Sequence, residues 1–174
     1  MTFLGKAEVT EEQYLDVLTR KTAYLFSASC EIGGILGGAD ERQQNALRDY
    51  GLNLGTAFQL VDDLLDFTSN DDVLGKAAGA DLLGGKVTLP LIYLMEAEPE
   101  MAESVRNVLR KGDYSEVPRG EILAAISRTG ALDRARAVAD DFAESARSAL
   151  DCLPQSPYSE SLRALPTYVL DRDR

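Results

Sequence analysis

Apolar residues recur along most of this chain every three to four positions, the spacing of one face of an α-helix. In the centre of the chain this pattern predicts a helix over about residues 40–67. Its predicted buried stripe consists of Leu47, Leu54, Phe58, Val61 and Leu65. Shorter stretches of the same kind predict helices over about residues 10–36, 89–97, 99–109, 119–129, 131–150 and 159–170.

Start and stop signals support the first of these helices. Thr10 and Gln13 have the spacing of a capping box, and glycines at positions 33, 34, 37 and 38 are expected at its end. No stretch alternates between apolar and polar residues over a useful length. The pattern predicts an all-α protein, an antiparallel helical bundle with appended C-terminal helices, folded as a single domain over residues 1–174.

The end of the central helix carries a group of acids. Gln59, Asp62, Asp63 and Asp66 are three or four positions apart and therefore share a face. Carboxylates at this end repel each other and are disfavoured by the helix dipole, so a bound cation would stabilise them. The chain has no histidine, and an all-oxygen donor set favours Mg²⁺ over zinc.

The segment 68–89 follows, with several glycines and little periodicity. Lys76 and Lys86 each follow a glycine, and Asp81 lies midway between them. Lysines beside carboxylate-bound Mg²⁺ are suited to a diphosphate. The segment does not match a phosphate-binding P-loop, because Ala80 and Val87 stand where Gly and Ser/Thr are needed. From these residues alone, a solvated acidic helix end followed by a flexible loop is an equally good interpretation.

Composition limits the classes of partner. The net charge of −11 argues against nucleic acid or an anionic membrane as a partner. No apolar run is long enough to span a bilayer, and the N-terminus lacks the pattern of a signal peptide, so a cytoplasmic location is expected. Cys30 and Cys152 form no metal or redox motif and are expected to be reduced.

Two motifs make a resemblance to a known family specific. FQLVDDLLDF, followed by GK, then D, then GKVTLP, resembles the second aspartate-rich region of the trans-polyprenyl diphosphate synthases, the farnesyl-, geranylgeranyl- and octaprenyl-type enzymes. The preceding YLDVLTRKTAYLFSASCEIGGILGGA resembles the family's helix with a Lys-Thr pair. The resemblance covers nearly the whole chain but only the C-terminal half of the usual family chain, and the first aspartate-rich motif is absent.

The resemblance implies a fold and an activity. The fold would be the C-terminal portion of an isoprenoid-synthase bundle, with substrate-binding helices and loop over 11–90 and C-terminal helices over 91–174. The activity would be prenyl transfer, in which an allylic diphosphate condenses with isopentenyl diphosphate in the presence of Mg²⁺.

The resemblance also implies roles for individual residues. Asp62 is expected to bind Mg²⁺ directly, with Asp63, Asp66 and Asp81 supporting the ion or its waters. Lys21, Thr22, Gln59, Lys76 and Lys86 are expected to hold the allylic diphosphate, and Phe58 to line the isopentenyl diphosphate pocket. Lys21, Asp62 and Lys76 are the expected catalytic residues. Without the resemblance, Lys21 and Thr22 have the spacing of ordinary surface residues of a helix.

Half of a family chain should carry half of a site. We therefore expect this chain to be inactive alone and either to self-associate or to pair with the missing N-terminal half. Three alternatives stay open: a non-catalytic or regulatory subunit of a synthase, a terpene cyclase-like protein, and a helical interaction domain without a ligand.

Overall fold

A computed structural model of the chain describes residues 4–68 and 79–173. Helices account for most of these residues, and the two described ranges contain no strand, which confirms the all-α prediction. The helices are α1 (Glu11–Leu18), α2 (Tyr24–Leu36), α3 (Glu41–Thr68), α4 (Ala80–Leu83), α5 (Leu89–Ala97), α6 (Met101–Lys111), α7 (Arg119–Thr129), α8 (Ala131–Ala149) and α9 (Pro157–Leu170). Single 3₁₀ turns follow α8 at Leu150–Cys152 and α9 at Asp171–Asp173.

The predicted start of the first helix is confirmed. The Gln13 N–H donates to Thr10 Oγ1 at 3.2 Å, and the Thr10 N–H donates to Gln13 Oε1 at 3.1 Å, so both halves of the capping box form. The predicted continuous helix over 10–36 is corrected in one respect. A π-helical turn, Thr19–Ala23, separates α1 from α2 and contains the predicted site residues Lys21 and Thr22. Such turns are rare and are often found at functional sites.

The predicted loop over 68–89 is also partly corrected. Helix α3 continues to Thr68, and the short helix α4 forms at Ala80–Leu83. Lys76, with the rest of 69–78, lies outside the described residues.

The chain divides into two compact units, Met1–Tyr14 with Asp62–Arg136 and Leu15–Val61 with Ala137–Arg174. The predicted single domain therefore stays a prediction. The core of the first unit is formed mainly by α5, α6 and α7, and its buried side chains include Leu89, Leu91, Leu94, Val105, Val108, Ile122 and Ile126. Helix α5 is buried almost all round, which explains its nearly unbroken apolar sequence.

The second unit has its own core cluster of Tyr50, Leu54, Ala146 and Leu150. The Tyr50 hydroxyl donates to the Leu162 carbonyl at 2.8 Å, so this buried tyrosine has a hydrogen-bond partner. Ser27 and Cys30 of α2 both contribute to packing in this unit. Ser27 Oγ donates to the Arg48 carbonyl at 2.9 Å, and Cys30 lies against the core cluster.

The predicted buried stripe of α3 was only partly right. Leu54 and Val61 are buried, whereas Leu47, Phe58 and Leu65 are half-buried. Other buried residues of α3 include Tyr50, Ala57, Leu60 and Leu64. Neighbouring elements bury a broader face of the helix than one narrow stripe. Apolar periodicity therefore predicts the helix correctly but indicates too few of its buried positions.

No helix within residues 4–68 and 79–173 has both the length and the apolar character that crossing a bilayer requires.

Candidate functional site

The last two turns of α3 place the predicted aspartates in different environments. Asp62 is exposed, whereas Asp63 and Asp66 are half-buried. Asp63 Oδ2 accepts a hydrogen bond from the Tyr14 hydroxyl at 2.7 Å, within the first unit. Burial, followed by the negative charge of Asp63, raises the pKa of Tyr14 well above its usual value, so this hydroxyl is a neutral donor.

Asp66 joins the end of α3 to the start of α4. Its Oδ1 accepts from the Ala80 N–H and its Oδ2 from the Asp81 N–H, both at 3.1 Å, while its main-chain carbonyl accepts from the Gly79 N–H at 2.8 Å. Burial raises the pKa of the Asp66 carboxyl, and the two N–H donors oppose that shift because they favour its charged form. Asp66 therefore fixes the backbone of Ala80 and Asp81, and with it the position from which the Asp81 side chain extends.

Asp81 and Lys86 form an ion pair in the same unit. Lys86 Nζ lies 2.5 Å from Asp81 Oδ1, and the Lys86 N–H donates to the Asp81 carbonyl at 2.9 Å. The hydrogen bond to Asp81 raises the pKa of the Lys86 ammonium, which keeps it charged. A predicted metal-supporting carboxylate and a predicted diphosphate-binding lysine are thus in direct contact.

Tyr114 stabilises this region and was missed by the sequence analysis. Its hydroxyl donates to the Gly79 carbonyl at 2.8 Å. Gly79 has φ +82°, and a Cβ there would lie 2.5 Å from the Tyr114 hydroxyl oxygen. Only glycine fits both the left-handed backbone and this close contact. A tyrosine 35 positions away gave no local signal that could have revealed the pairing.

The second unit contains another group of predicted site residues. Thr22 Oγ1 donates to Gln59 Oε1 at 2.9 Å, which joins the π-helical turn to α3. Lys21, in the same turn, is exposed. The ring of Phe58 lies 5.5 Å from that of Phe26, and the Arg172 guanidinium stacks 4.2 Å from the centre of the Phe58 ring. The contact with Arg172 is a cation–π interaction that sequence spacing could not predict.

Two glycines allow α3 to approach this turn closely. A Cβ on Gly51 would lie 2.5 Å from the Phe26 carbonyl oxygen, and one on Gly55 would lie 2.8 Å from Ala23 Cα. Both obstacles are backbone atoms, which cannot rotate away. The close packing of the π-helical turn and α2 on α3 therefore depends on these glycines, and it brings Thr22 within reach of Gln59.

A metal ion bound by the predicted carboxylates would take few ligands from the described residues. Among the residues that the structure describes, no three His, Cys, Asp or Glu side chains are grouped closely enough to hold one. Mg²⁺ commonly binds to only one or two carboxylates and takes its remaining ligands from phosphate oxygens and water. A carboxylate-only donor set in a chain without histidine fits that mode of binding.

The fold and these groups define an all-helical protein with carboxylates and lysines at helix ends. The polyprenyl synthetase family model matches residues 1–125, and the chain belongs to this family. Its helical structure is that of the isoprenyl synthases.

Individual relatives support the assignment. The chain is 40% identical to the octaprenyl diphosphate synthase of Escherichia coli (strain K12), over 96% of this chain and 52% of that protein. It is 39% identical to heptaprenyl diphosphate synthase component 2 of Geobacillus stearothermophilus, over 92% and 49%. A polyprenyl synthase from Caulobacter crescentus CB15, solved with calcium and isoprenyl diphosphate, superimposes with a TM-score of 0.90 at 36% identity, over 99% and 53%. The chain thus spans about half the length of these relatives.

Proposed function

We propose that this chain supplies the second aspartate-rich part of a prenyl diphosphate synthase site and binds an allylic diphosphate together with Mg²⁺. The observation that carries the proposal is the Asp66–Asp81–Lys86 arrangement. Two acids and a lysine are fixed to each other by hydrogen bonds, in a chain of the polyprenyl synthetase family. The Caulobacter relative was solved with a divalent cation and an isoprenyl diphosphate, which supports the choice of ligands.

The acids of the first unit would take the metal. Asp62, which is exposed, would bind Mg²⁺ directly, and Asp63, Asp66 and Asp81 would orient its waters. When bound, the ion would neutralise charge on the diphosphate and so assist its departure. Mg²⁺ as the physiological metal and the cytoplasm as the location of the protein stay predictions.

Other residues would bind the organic substrates. Lys86, released from Asp81, would neutralise diphosphate oxygens, as Lys21 would from the π-helical turn. Gln59 through its NH₂ group, and Thr22 once its hydroxyl turns away from Gln59, would donate hydrogen bonds to a diphosphate. Phe58 would give isopentenyl diphosphate an apolar wall. Lys76 is proposed as a further diphosphate ligand from the family motif alone.

The reaction follows from these roles. The allylic C1–O bond breaks and the diphosphate leaves with the electron pair. The double bond of isopentenyl diphosphate attacks the allylic cation and a carbon–carbon bond forms. The departed diphosphate then accepts the proton lost from the isopentenyl unit, which gives the longer prenyl diphosphate. Positive side chains would stabilise the leaving group, and apolar walls would keep water from the cation.

Isothermal titration with a thio analogue of an allylic diphosphate tests the binding proposal. We expect binding that requires Mg²⁺ and is lost in an Asp62→Ala/Asp66→Ala double variant. Asp16→Ala is the control, because Asp16 forms only an exposed ion pair with Arg20. Titrations would be repeated with the N-terminal half of the Escherichia coli relative present. Absence of Mg²⁺-dependent binding under both conditions would contradict the proposal.

An exposed apolar face also favours a partner. On α2, Leu25 is 72% exposed and Leu36 is 83% exposed, with Ile32 and Ile35 more than half exposed. Several large aliphatic side chains on one helix are typical of an interaction surface. The Escherichia coli relative is about twice as long as the part of it that this chain matches. We propose that the N-terminal half of a polyprenyl synthase covers this face. The Geobacillus relative is named as one component of a synthase, which indicates that a relative of this chain has a partner subunit.

Co-purification with the N-terminal half of the Escherichia coli relative tests the partner. Size-exclusion chromatography with light scattering should show a one-to-one complex, which Leu25→Glu/Ile32→Glu should abolish. Tyr158→Glu, at a residue that is 84% exposed on α9, should leave the complex intact. A homo-oligomer that forms through the same face and excludes the added half would overturn the pairing proposal.

A further inference from the structure

Tyr14 is a buried residue whose position is set by the start of α1. The capping box formed by Thr10 and Gln13 fixes the first turn, and the Tyr14 N–H donates to the Thr10 carbonyl at 2.9 Å. The side chain is only 8% exposed, in a unit that also contains the end of α3. Both the ring and its hydroxyl are thus held in a defined place.

The partner of the Tyr14 hydroxyl distinguishes it from Tyr50 and Tyr114. Tyr50 and Tyr114 donate to main-chain carbonyls, at 2.8 Å in each case. Tyr14 instead donates at 2.7 Å to the carboxylate of Asp63, 49 positions away. A hydrogen bond to an ionised acceptor is about twice as strong as a neutral one. It also restricts rotation of the Asp63 side chain about its terminal bond.

Asp63 stands between two acids with different environments. Asp62 immediately before it is exposed, and Asp66 one turn later accepts from two backbone N–H groups. A neutral donor on Asp63 disperses part of its charge without adding a cation that would compete with a metal ion. Donors of this kind orient metal-supporting carboxylates, and their loss typically weakens metal binding by 10–100-fold.

We propose that Tyr14 is a positioning residue for the second aspartate-rich motif, holding Asp63 in the orientation in which it supports the cation–diphosphate complex. This proposal rests on the proposed function and adds to it a role for Tyr14, the first residue of the Lys-Thr motif, to which the resemblance assigned no function. Tyr14 acts through Asp63 and does not itself contact substrate.

A double-mutant cycle tests the proposal. The measured quantity is the Mg²⁺ concentration that half-saturates binding of the allylic thio-diphosphate, for the wild type, Tyr14→Phe, Asp63→Asn and the double variant. Tyr14→Phe and Asp63→Asn should each raise this concentration about tenfold. The double variant should show no loss beyond that of Asp63→Asn, because Tyr14 acts only through the Asp63 carboxylate.

The control separates positioning from stability. Tyr50→Phe removes the hydroxyl of another buried tyrosine, in the other unit. The thermal stability of this variant without ligand should therefore fall, as that of Tyr14→Phe should. The half-saturating Mg²⁺ concentration of Tyr50→Phe should be unchanged. Additive effects of Tyr14→Phe and Asp63→Asn, or a wild-type Mg²⁺ response in Tyr14→Phe, would overturn the proposal while leaving the proposed function intact. A wild type that shows no Mg²⁺-dependent binding would instead refute the proposed function and the positioning role with it.

Discussion

Thr22 Oγ1 donates a hydrogen bond to Gln59 Oε1 at 2.9 Å, although the two residues are 37 positions apart. Thr22 lies in the π-helical turn and Gln59 lies on α3. The contact orients the Gln59 amide, because its oxygen faces the threonine and its NH₂ group is directed elsewhere. Thr22 belongs to the Lys-Thr motif and Gln59 to the aspartate-rich motif, and this hydrogen bond joins the two motifs.

Thr22→Val should separate the contribution of the Thr22 hydroxyl to stability from that of the side chain's shape. Valine is close in volume but leaves Gln59 without this donor, so the free energy of unfolding should fall by about 1 kcal/mol. Thr22→Ser should keep most of the stability, and Ser29→Ala, at an exposed hydroxyl bonded within its own helix, should have almost no effect. Urea unfolding followed by circular dichroism measures all three. Equal losses for valine and serine would contradict the role of the hydrogen bond.

Gly51→Ala should be strongly destabilising. The new Cβ would meet the Phe26 carbonyl and Ser27 Cα at less than 3 Å, so α2 would have to move away from α3. Overpacking of this kind costs about 1–3 kcal/mol. Gly33→Ala on α2 is the matched control, because its Cβ would meet nothing within 4 Å and alanine favours a helix by up to about 1 kcal/mol. The urea midpoint should fall in Gly51→Ala and rise in Gly33→Ala. Shifts of the same sign would contradict the close approach of α2 to α3 at Gly51.

Asp66→Ala should loosen the start of α4. The Ala80 and Asp81 N–H groups would lose their acceptors, at a cost of about 1–3 kcal/mol. Hydrogen exchange without added metal should become faster at these two amides, while amides of α6 keep their protection. Asp16→Ala, at an exposed ion pair, should change neither exchange nor stability measurably. Unchanged exchange at Ala80 and Asp81 in Asp66→Ala would show that the carboxylate does not anchor them.

The contribution of Tyr114 to the free energy of unfolding should change with pH in the alkaline range. Burial, and next the charge of Asp66, raise the pKa of Tyr114 from 10.0 to about 12. Because the folded pKa exceeds the unfolded one, the neutral hydroxyl stabilises the fold fully below pH 10.0, and this stability is lost as pH rises to about 12. The stability advantage of the wild type over Tyr114→Phe should therefore shrink between these values. Urea unfolding at a series of pH values measures it, and a constant difference would refute the raised pKa.

The amino-acid sequence by itself determined most of the secondary structure and the family. Helical periodicity and the capping box located most helices, because these are local interactions between residues three or four positions apart. The aspartate-rich and lysine-containing motifs identified the polyprenyl synthetases, because they are continuous in sequence.

The tertiary structure decided which groups hold the candidate site residues in place. Tyr14 with Asp63, Tyr114 with Gly79 and Thr22 with Gln59 are pairs separated by 35 or more positions. No periodicity connects such residues, because their contact depends on how separate helices pack. The close approach of α2 to α3 at Gly51 likewise arises from packing between helices. Local pattern therefore revealed the acids and lysines, and only packing revealed the side chains that orient them.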